Sequence, residues 1–390
     1  MMLNHNIRGV GTFHRCCYFA RPLVRNGHRV TVLTNSKGNR LSFVSDAQNE
    51  FEIIESPDLL WGQLRSGWDP INVLRRIRHF SKNRFDLIHA FDSRPTVIFP
   101  ALSLARRWQC PLIMDWCDWW GRGGVASTRK PRWLNQLFEP IETFFEEHFR
   151  KYADHITTIS EPLRARAIGL GIPEDKVTVI SPVADLDEMY PMDKKDARAK
   201  LGLPADAKIL MFSSFVQYDV DFLMAALKRI WERHPSCILI VTGKKVFDQR
   251  MDANSNQVIY AGHVPQEELR SYIGASDLCL LPLSDSVANR ARFPDKLRTY
   301  LSCGRPVIGT TVGEAKRLLA DRNAGLLSRP DVASYSAAIL EGIESSEKFE
   351  YWNREARKIA ETEMSELVSV QKLEAIYKNT EKAANPVAAN

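Results

Sequence analysis

The chain has 390 residues, of which 44% are hydrophobic and 26% charged, as in soluble globular proteins large enough for two domains. No run of 18 apolar residues and no N-terminal apolar core segment occurs, so we expect neither a membrane-spanning helix nor a secretory signal. The net charge is +6, and residues 1–182 hold 25 Lys and Arg against 18 Asp and Glu, which suits an anionic ligand or surface. No nucleic-acid-binding motif accompanies this charge, so no nucleic acid partner is expected.

The seven cysteines form no CxxC pair and no zinc-ligand spacing. We therefore expect free thiols in a reducing cytoplasm, and no metal site. No cofactor is expected either.

The first half alternates apolar strands with amphipathic helices, a pattern typical of a doubly wound α/β domain. The predicted strands are VTVLTN (30–35), DLIHAF (86–91), PLIMDW (111–116), HITTIS (155–160) and VTVIS (177–181). Only MMLN precedes the glycine-containing HNIRGVG, so the first strand of the sheet is either very short or missing.

The alternation stops over 183–206, which is polar and contains prolines, and we interpret this stretch as a linker. It restarts with the strands KILMFSS (208–214), CILIVTG (237–243), QVIYAG (257–262), LCLLPL (278–283) and PVIGTT (306–311). We predict an N-terminal domain over 1–182, a C-terminal domain over 207–365, and a C-terminal helix with a frayed tail over 366–390. Both domains are predicted to be Rossmann-like parallel sheets, with the ligand in the cleft between them at the carboxyl ends of the strands.

Several segments resemble the GT-B glycosyltransferases, in particular the retaining enzymes of family 4. They are GVGTFHRCCYFARPLVRNGHRVTVLT at the start, ADHITTISEPLRARAIGLGIPEDKVTVI, GHVPQEELRSYIGASDLCLLP and FPDKLRTYLSCGRPVIGTTVGE (293–314). The resemblance implies two Rossmann-like domains facing a cleft, a C-terminal helix that crosses back, and a nucleotide-sugar as co-substrate.

The sequence departs from that family at its phosphate and ribose contacts. Ala291 and Thr299 occupy the positions of two glutamates that many members carry, and SSFVQYDVD (213–221) lacks their Arg and Lys. Other residues could hold the diphosphate: the cations Arg290, Arg292 and Lys296, the turn at Gly313 and Glu314, and the backbone at Gly9 and Gly11. The Glu314 carboxylate could also accept a hydrogen bond from a hydroxyl.

The stretch DWCDWWGRGG (115–124) follows the strand PLIM and is therefore expected at the carboxyl edge of the sheet. We interpret it as a platform for a sugar or acceptor, with Asp115 and Asp118 as partners for sugar hydroxyls or a developing positive charge. Trp116, Trp119 and Trp120 would line the pocket, and Arg122 would meet phosphate. A buried structural corner and a metal site are the alternatives.

His89 lies at the same predicted edge and could either transfer a proton or simply complete the strand end. The segment 73–84 is predicted to be a basic amphipathic helix that could contact an anionic membrane or pack its apolar stripe on the sheet. The stripe is formed by Val73, Leu74, Ile77 and Phe80, and the surrounding cations are Arg75, Arg76, Arg78 and Lys82. The later segment WLNQLFEPIETFFEEHF combines an apolar stripe with an acidic outer face, which favours core packing and no membrane role.

The resemblance implies a retaining, metal-independent transferase that moves a sugar from a nucleotide-sugar to a glycan or lipid-linked acceptor. It is expected in the cytoplasm, with possible peripheral membrane contact. Two alternatives stay open: a catalytically silent homologue that binds a sugar or partner enzyme, and an epimerase acting on the nucleotide-sugar.

Overall fold

The computed structural model describes residues 1–38, 41–47, 50–59, 67–128, 132–214, 219–243 and 257–384. Contacts divide the chain into two compact units. The N-terminal unit comprises Met1–Val183 and Glu366–Asn390, and the C-terminal unit comprises Ala184–Ser365. Within the described ranges, no helix is both long enough and apolar enough to cross a bilayer.

An eight-stranded sheet forms the centre of the N-terminal unit, in the order β3-β4-β2-β1-β5-β6-β7-β8. All neighbours are parallel except β3 and β4. The strands are β1 (Met2–Ile7), β2 (Thr31–Asn35), β3 (Val44–Asp46), β4 (Glu52–Ser56), β5 (Ile88–Phe91), β6 (Leu112–Trp116), β7 (His155–Thr158) and β8 (Val177–Val179).

Helices accompany the sheet. They are α1 (Thr12–Arg25), α2 (Pro70–Phe80), α3 (Pro95–Trp108), α4 (Arg132–His148) and α5 (Glu161–Gly169), together with the last helix of the chain, α14 (Glu366–Ala384). Helices α1, α3 and α14 bury apolar side chains against the sheet. One core joins α1 and α14 to the sheet through Phe19, Leu23 and Leu373. A second core joins the sheet to α3 through Val97 and Leu104. The predicted crossing back of the C-terminal helix is confirmed, and the predicted frayed end beyond residue 384 lies outside the described residues.

The first strand is present and lies between β2 and β5. Its sequence, MLNHNI, is too polar to suggest a buried strand, yet Asn4 is fully buried. The Asn4 amide donates to the Leu33 carbonyl at 3.1 Å, and the Thr34 hydroxyl donates to the Asn6 carbonyl. These bonds satisfy the polar groups that burial would otherwise penalise.

Helix α2 turns a cation inward. Arg76 is fully buried and donates to the carbonyls of Asn4 and Thr96 at 3.0 and 2.8 Å, and burial lowers its pKa to about 9. Leu74, which was predicted to belong to the packed apolar stripe, is instead 68% exposed. The expected division of 73–84 into a basic outer and an apolar inner face is therefore wrong at these two positions.

Helix α4 also reverses its predicted polarity. Glu142 and Glu146 are buried, whereas Trp133 and Leu137 are 65% and 60% exposed. The prediction that its apolar stripe packs in the core and its acids face solvent was wrong, because buried arginines and backbone amides bind the acids.

A six-stranded, all-parallel sheet in the order β11-β10-β9-β12-β13-β14 forms the C-terminal unit. Its strands are β9 (Ile209–Ser214), β10 (Ile238–Gly243), β11 (Val258–Gly262), β12 (Leu278–Leu281), β13 (Val307–Thr310) and β14 (Gly325–Ser328). Its helices are α6 (Lys194–Leu201), α7 (Val220–Arg233), α8 (Gln266–Ala275), α9 (Val287–Ala291), α10 (Asp295–Ser302), α11 (Gly313–Leu319), α12 (Val332–Glu344) and α13 (Phe349–Glu363).

The stretch interpreted as a linker is in part an integral element of this unit. Helix α6 packs on α8, and buried Arg198 donates to the Asp277 carboxylate at 2.9 Å and to the Ala275 carbonyl at 2.9 Å. An ion pair with both partners buried fixes α6 to the sheet.

Candidate functional site

The loop after β6 begins with a buried ion pair. Asp115 has no exposed surface and accepts two 2.9 Å hydrogen bonds from Arg15 of α1. The Thr157 hydroxyl and the Cys117 thiol donate to the same carboxylate at 2.6 and 2.7 Å. Burial alone would raise the pKa of Asp115, but the Arg15 charge and hydrogen bonds outweigh it and hold this pKa below its ordinary value. Asp115 thus has no oxygen left for a substrate, and we assign it a structural role in place of the predicted catalytic one.

His89 is also a structural residue. It is fully buried in β5, with Nδ1 2.9 Å from the Tyr377 hydroxyl and Nε2 3.1 Å from the Thr157 hydroxyl. Burial lowers the pKa of His89 to about 3, so the ring is neutral at physiological pH. Packed between the sheet and α14, it does not reach the edge where a proton transfer was expected.

The rest of the loop is bound by the glutamates of α4. Glu146 accepts from the Trp116 indole at 3.0 Å and from the backbone N–H groups of Trp120 and Gly121, both at 2.8 Å. Trp116 is buried beneath Arg150, whose guanidinium lies 3.8 Å from its ring centroid. Trp116 is therefore core and does not form part of a platform, which supports the structural-corner alternative for this end of the loop.

The later part of the loop stays accessible. Asp118, Trp119 and Trp120 are each only partly buried. Within the described ranges, the indole nitrogen of Trp119 is buried without a hydrogen-bond partner, which is uncommon for a tryptophan. Arg122 lies on the surface and pairs with Glu147 at 2.7 Å, so its predicted phosphate contact would compete with this salt bridge.

A strained aspartate lies next to this loop. Asp92, the residue after β5, has φ +82° and contacts His5 of β1 at 3.3 Å. Residues other than glycine rarely adopt this conformation, and when they do they are often found at functional sites. Sequence reasoning missed the pair, although Asp directly after a strand is a signal because it tolerates the left-handed region.

The turn between β1 and α1 has two glycines with positive φ. Gly9 and Gly11 have φ of +74° and +56°, and a Cβ at Gly11 would lie 2.7 Å from the Asn6 side chain. Both positions therefore require glycine, as a turn that brings backbone amides close to a ligand would.

The C-terminal unit holds a lysine, Lys296, whose ammonium lies against an aromatic ring. Lys296, near the start of α10, has its ammonium 4.0 Å from the ring centroid of Phe212 and hydrogen-bonds to no residue in the described part of the chain. Burial, followed by the charge of Arg292, lowers the pKa of Lys296 to about 7, while Asp219 opposes the shift. A cation held this way gains from any anion that binds beside it.

Asp219 shapes the same cluster and was not identified from the sequence. Its carboxylate accepts from the Ser284 backbone at 3.1 Å and from the Asn289 amide at 3.0 Å, and lies 3.9 Å from Arg292. It has φ +65° directly before α7. The neighbouring Ser214 hydroxyl, at the end of β9, is buried without a partner among the described residues.

The remaining predicted phosphate residues fall into different environments. Arg290 is exposed and holds Asp285 in a two-bond ion pair, with Nη2 donating at 2.8 Å. Glu314 is fully buried and accepts from Arg317 at 2.7 Å, so its predicted role as a hydroxyl acceptor is replaced by a structural one. Gly313 has φ +53°, and a Cβ there would lie 2.7 Å from the carbonyl oxygens of Asn289 and Arg290.

The two positions that lack the family's glutamates offer no substitute carboxylate. Ala291 is buried, and the Thr299 hydroxyl donates to the Asp295 carbonyl at 3.1 Å. Residues 215–218, four of the nine in the stretch that lacks the Arg and Lys, lie outside the described residues. Across the described ranges, no three His, Cys, Asp or Glu side chains come together in a way that could hold a metal ion.

Two family matches cover most of the chain. Residues 11–182 match the family described as "Glycosyl transferase 4-like domain", and residues 206–345 match "Glycosyl transferases group 1". A D-inositol 3-phosphate glycosyltransferase of Frankia alni is 25% identical over 276 residues, which are 66% of this chain and 65% of that protein.

Solved structures share the fold. Sucrose-phosphate synthase from Thermosynechococcus elongatus aligns with a TM-score of 0.77 at 17% identity, over 98% of both chains. Anabaena Alr3699/HepE in complex with UDP aligns with a TM-score of 0.71 at 17% identity, over 97% of this chain and 99% of that one. With both family domains in order on two parallel-sheet units, the chain belongs to the group 1, 4-like family of GT-B glycosyltransferases.

Proposed function

We propose that this protein transfers a sugar from a nucleotide-sugar to a glycan or lipid-linked acceptor, with retention of anomeric configuration and without a metal ion. Membership of the glycosyltransferase family supports the reaction class. The donor class is supported by Anabaena HepE, whose solved complexes contain UDP and UDP-glucose.

Lys296 is the observation that carries the proposal. It is a partly buried lysine at the carboxyl edge of a parallel sheet, with an aromatic ring as the contact of its ammonium and with Arg292 as a neighbour. The carboxyl edge is where open α/β sheets bind ligands. A nucleoside diphosphate would supply the missing negative charge.

The reaction would develop negative charge on the leaving diphosphate, next to Lys296. When the bond between the sugar and the diphosphate breaks, the electron pair stays on the phosphate oxygen, and fixed cations stabilise that charge as it develops. Lys296 and Arg292 would do so here, with the strained turn at Gly313 bringing backbone amides close. The acceptor hydroxyl would attack from the face that the diphosphate leaves, and the leaving phosphate oxygen would take its proton.

The N-terminal unit would supply the sugar and acceptor side. Asp118, Trp119 and Trp120 are the accessible members of the predicted platform. Carboxylates and indole rings suit sugars, because one accepts from hydroxyls and the other packs on apolar ring faces.

A catalytically silent homologue is the second candidate, and the side chains at 291 and 299 favour it. Neither Ala291 nor Thr299 can accept hydrogen bonds as a carboxylate would. Such a protein would bind a nucleotide or nucleotide-sugar without turning it over.

Thermal unfolding with UDP, GDP, dTDP, ADP and their sugar conjugates tests the binding part. A ligand at a hundred times its Kd stabilises the folded state by about 2.7 kcal/mol, which raises the Tm measurably. We expect one nucleotide to stabilise the wild type and not Lys296→Ala. Stabilisation by none, or equal stabilisation of both proteins, would contradict the donor site.

A further inference from the structure

Helix α4 presents an apolar face that the N-terminal unit leaves uncovered. Five of its side chains are large, hydrophobic and exposed, and Tyr152 follows just beyond its end. They are Trp133, Leu137, Phe138, Ile141 and Phe144. Contiguous apolar surface of this kind marks an interaction site more often than chance exposure does.

The acids of this helix are turned away from that face and engaged. Glu142 pairs with Arg94 at 3.1 Å, and Glu146 binds the loop after β6. Glu139 accepts from the Gly123 backbone at 2.6 Å, and Glu147 pairs with Arg122 and Arg166, both at 2.7 Å. The carboxylates of α4 are therefore already committed to partners within the unit.

Cations and amphipathic aromatics flank the apolar stripe. Arg132 begins the helix and Lys151 follows its end, and both are exposed. Trp133 and Tyr152 lie beside them, with the Lys151 ammonium 5.2 Å from the Tyr152 ring. An apolar helix face with Trp and Tyr at its border and basic residues beside them is the composition of a helix that lies in the plane of a lipid interface.

We propose that α4, from Arg132 to His148 with Lys151 and Tyr152, docks the protein on a bilayer that contains anionic lipid. Leu137, Ile141 and Phe144 enter the boundary between headgroups and acyl chains, and Arg132 and Lys151 meet lipid phosphate. The exposed charge complements an anionic surface, and this property favours lipid over a second copy of the same apolar, basic face. The proposal does not depend on the donor site, because vesicle binding requires no turnover.

Cosedimentation of the full chain with phosphatidylcholine vesicles, with and without phosphatidylglycerol, tests the docking surface. Burying one leucine side chain raises the constant for partition into the bilayer about tenfold or more. Leu137→Glu should therefore weaken vesicle binding by at least about that factor. Leu367→Glu is the matched control, since Leu367 is 64% exposed on another helix of the same unit and Leu137 is 60% exposed. Both variants should unfold at the wild-type temperature, as the replaced side chains are exposed.

A second set of variants tests how much the positive charges contribute to vesicle binding. Replacing Arg132 and Lys151 by Gln should weaken binding about fivefold for each residue on vesicles with phosphatidylglycerol, and much less on phosphatidylcholine alone. Leu74→Glu tests the alternative surface on α2, and docking through α4 predicts wild-type binding for it. Failure of the wild type to bind either vesicle, or equal binding by Leu137→Glu and the wild type, would overturn the proposal. A wild-type dimer that Leu137→Glu dissociates, without vesicle binding, would do the same.

Discussion

Lys296 makes nucleotide affinity depend on pH in a way that the structure specifies. Its pKa is about 7 in the free protein, against an ordinary value of 10.5, because burial and Arg292 disfavour the ammonium. A bound diphosphate reverses that preference and returns the pKa toward 10.5. Affinity therefore falls as pH rises above 7, since a proton must then be taken up on binding.

The size of the effect follows from the two pKa values. Between pH 7 and pH 8.5 the protonated fraction of a group with pKa 7 falls about 16-fold, so the Kd for UDP should rise about 16-fold. UDP itself changes little over this range, because the second ionisation of a phosphate has a pKa near 6 and is nearly complete above pH 7.

Isothermal titration calorimetry with UDP at the two pH values measures the effect directly. Lys296→Arg keeps its charge throughout and should show a nearly constant Kd, whereas Lys296→Met should bind weakly at both pH values. A wild-type Kd that changes less than about threefold, or that changes as much in Lys296→Arg, would refute the assignment of the anion site to this ammonium.

Three further predictions concern the scaffold of the two sites. Asp115→Ala leaves the buried Arg15 charge unpaired and should lower the free energy of unfolding by about 3–5 kcal/mol in urea melts. A loss below about 1 kcal/mol would show that the pair is not buried as described. Glu146→Gln removes the charge that accepts from three N–H donors. It should lower the free energy of unfolding by about 1.5–3 kcal/mol and shift tryptophan emission to the red as the loop loosens. Unchanged emission and stability would contradict the role of Glu146 in holding the loop. Gly313→Ala should destabilise more than Gly202→Ala, because both have positive φ but only Gly313 faces carbonyl oxygens at 2.7 Å. Equal melting temperatures for the two alanine variants would contradict that contact.

The two-domain fold could be predicted from the sequence because parallel strands that are buried on both faces appear as short apolar runs. The strands at 86–91 and 111–116 were identified in this way, and the structure places strands at Ile88–Phe91 and Leu112–Trp116. Strand β1 escaped the same reasoning, since its polar Asn4 is satisfied by partners far along the chain, Leu33 and Arg76.

The candidate sites were harder to predict for the same physical reason. Asp115 and Asp118 are indistinguishable in sequence, and only the position of Arg15, one hundred residues earlier, makes one structural and leaves the other accessible. The glutamates of α4 follow a surface-like helical pattern, and their burial depends on arginines from other elements. Lys296 was identified because a basic cluster before a helix is a local signal, whereas its contact with Phe212 is not.

Product analysis tests whether the protein transfers a sugar with retention. The wild type and Lys296→Met would be incubated with the sugar conjugate of the nucleotide that stabilises the protein, with water or a glycan as acceptor, and the released sugar would be followed by NMR. We expect release of the nucleoside diphosphate and a product that keeps the donor's anomeric configuration, with strongly reduced turnover in the variant. Binding without any turnover would identify a silent homologue, and an inverted or epimerised product would contradict the proposed reaction.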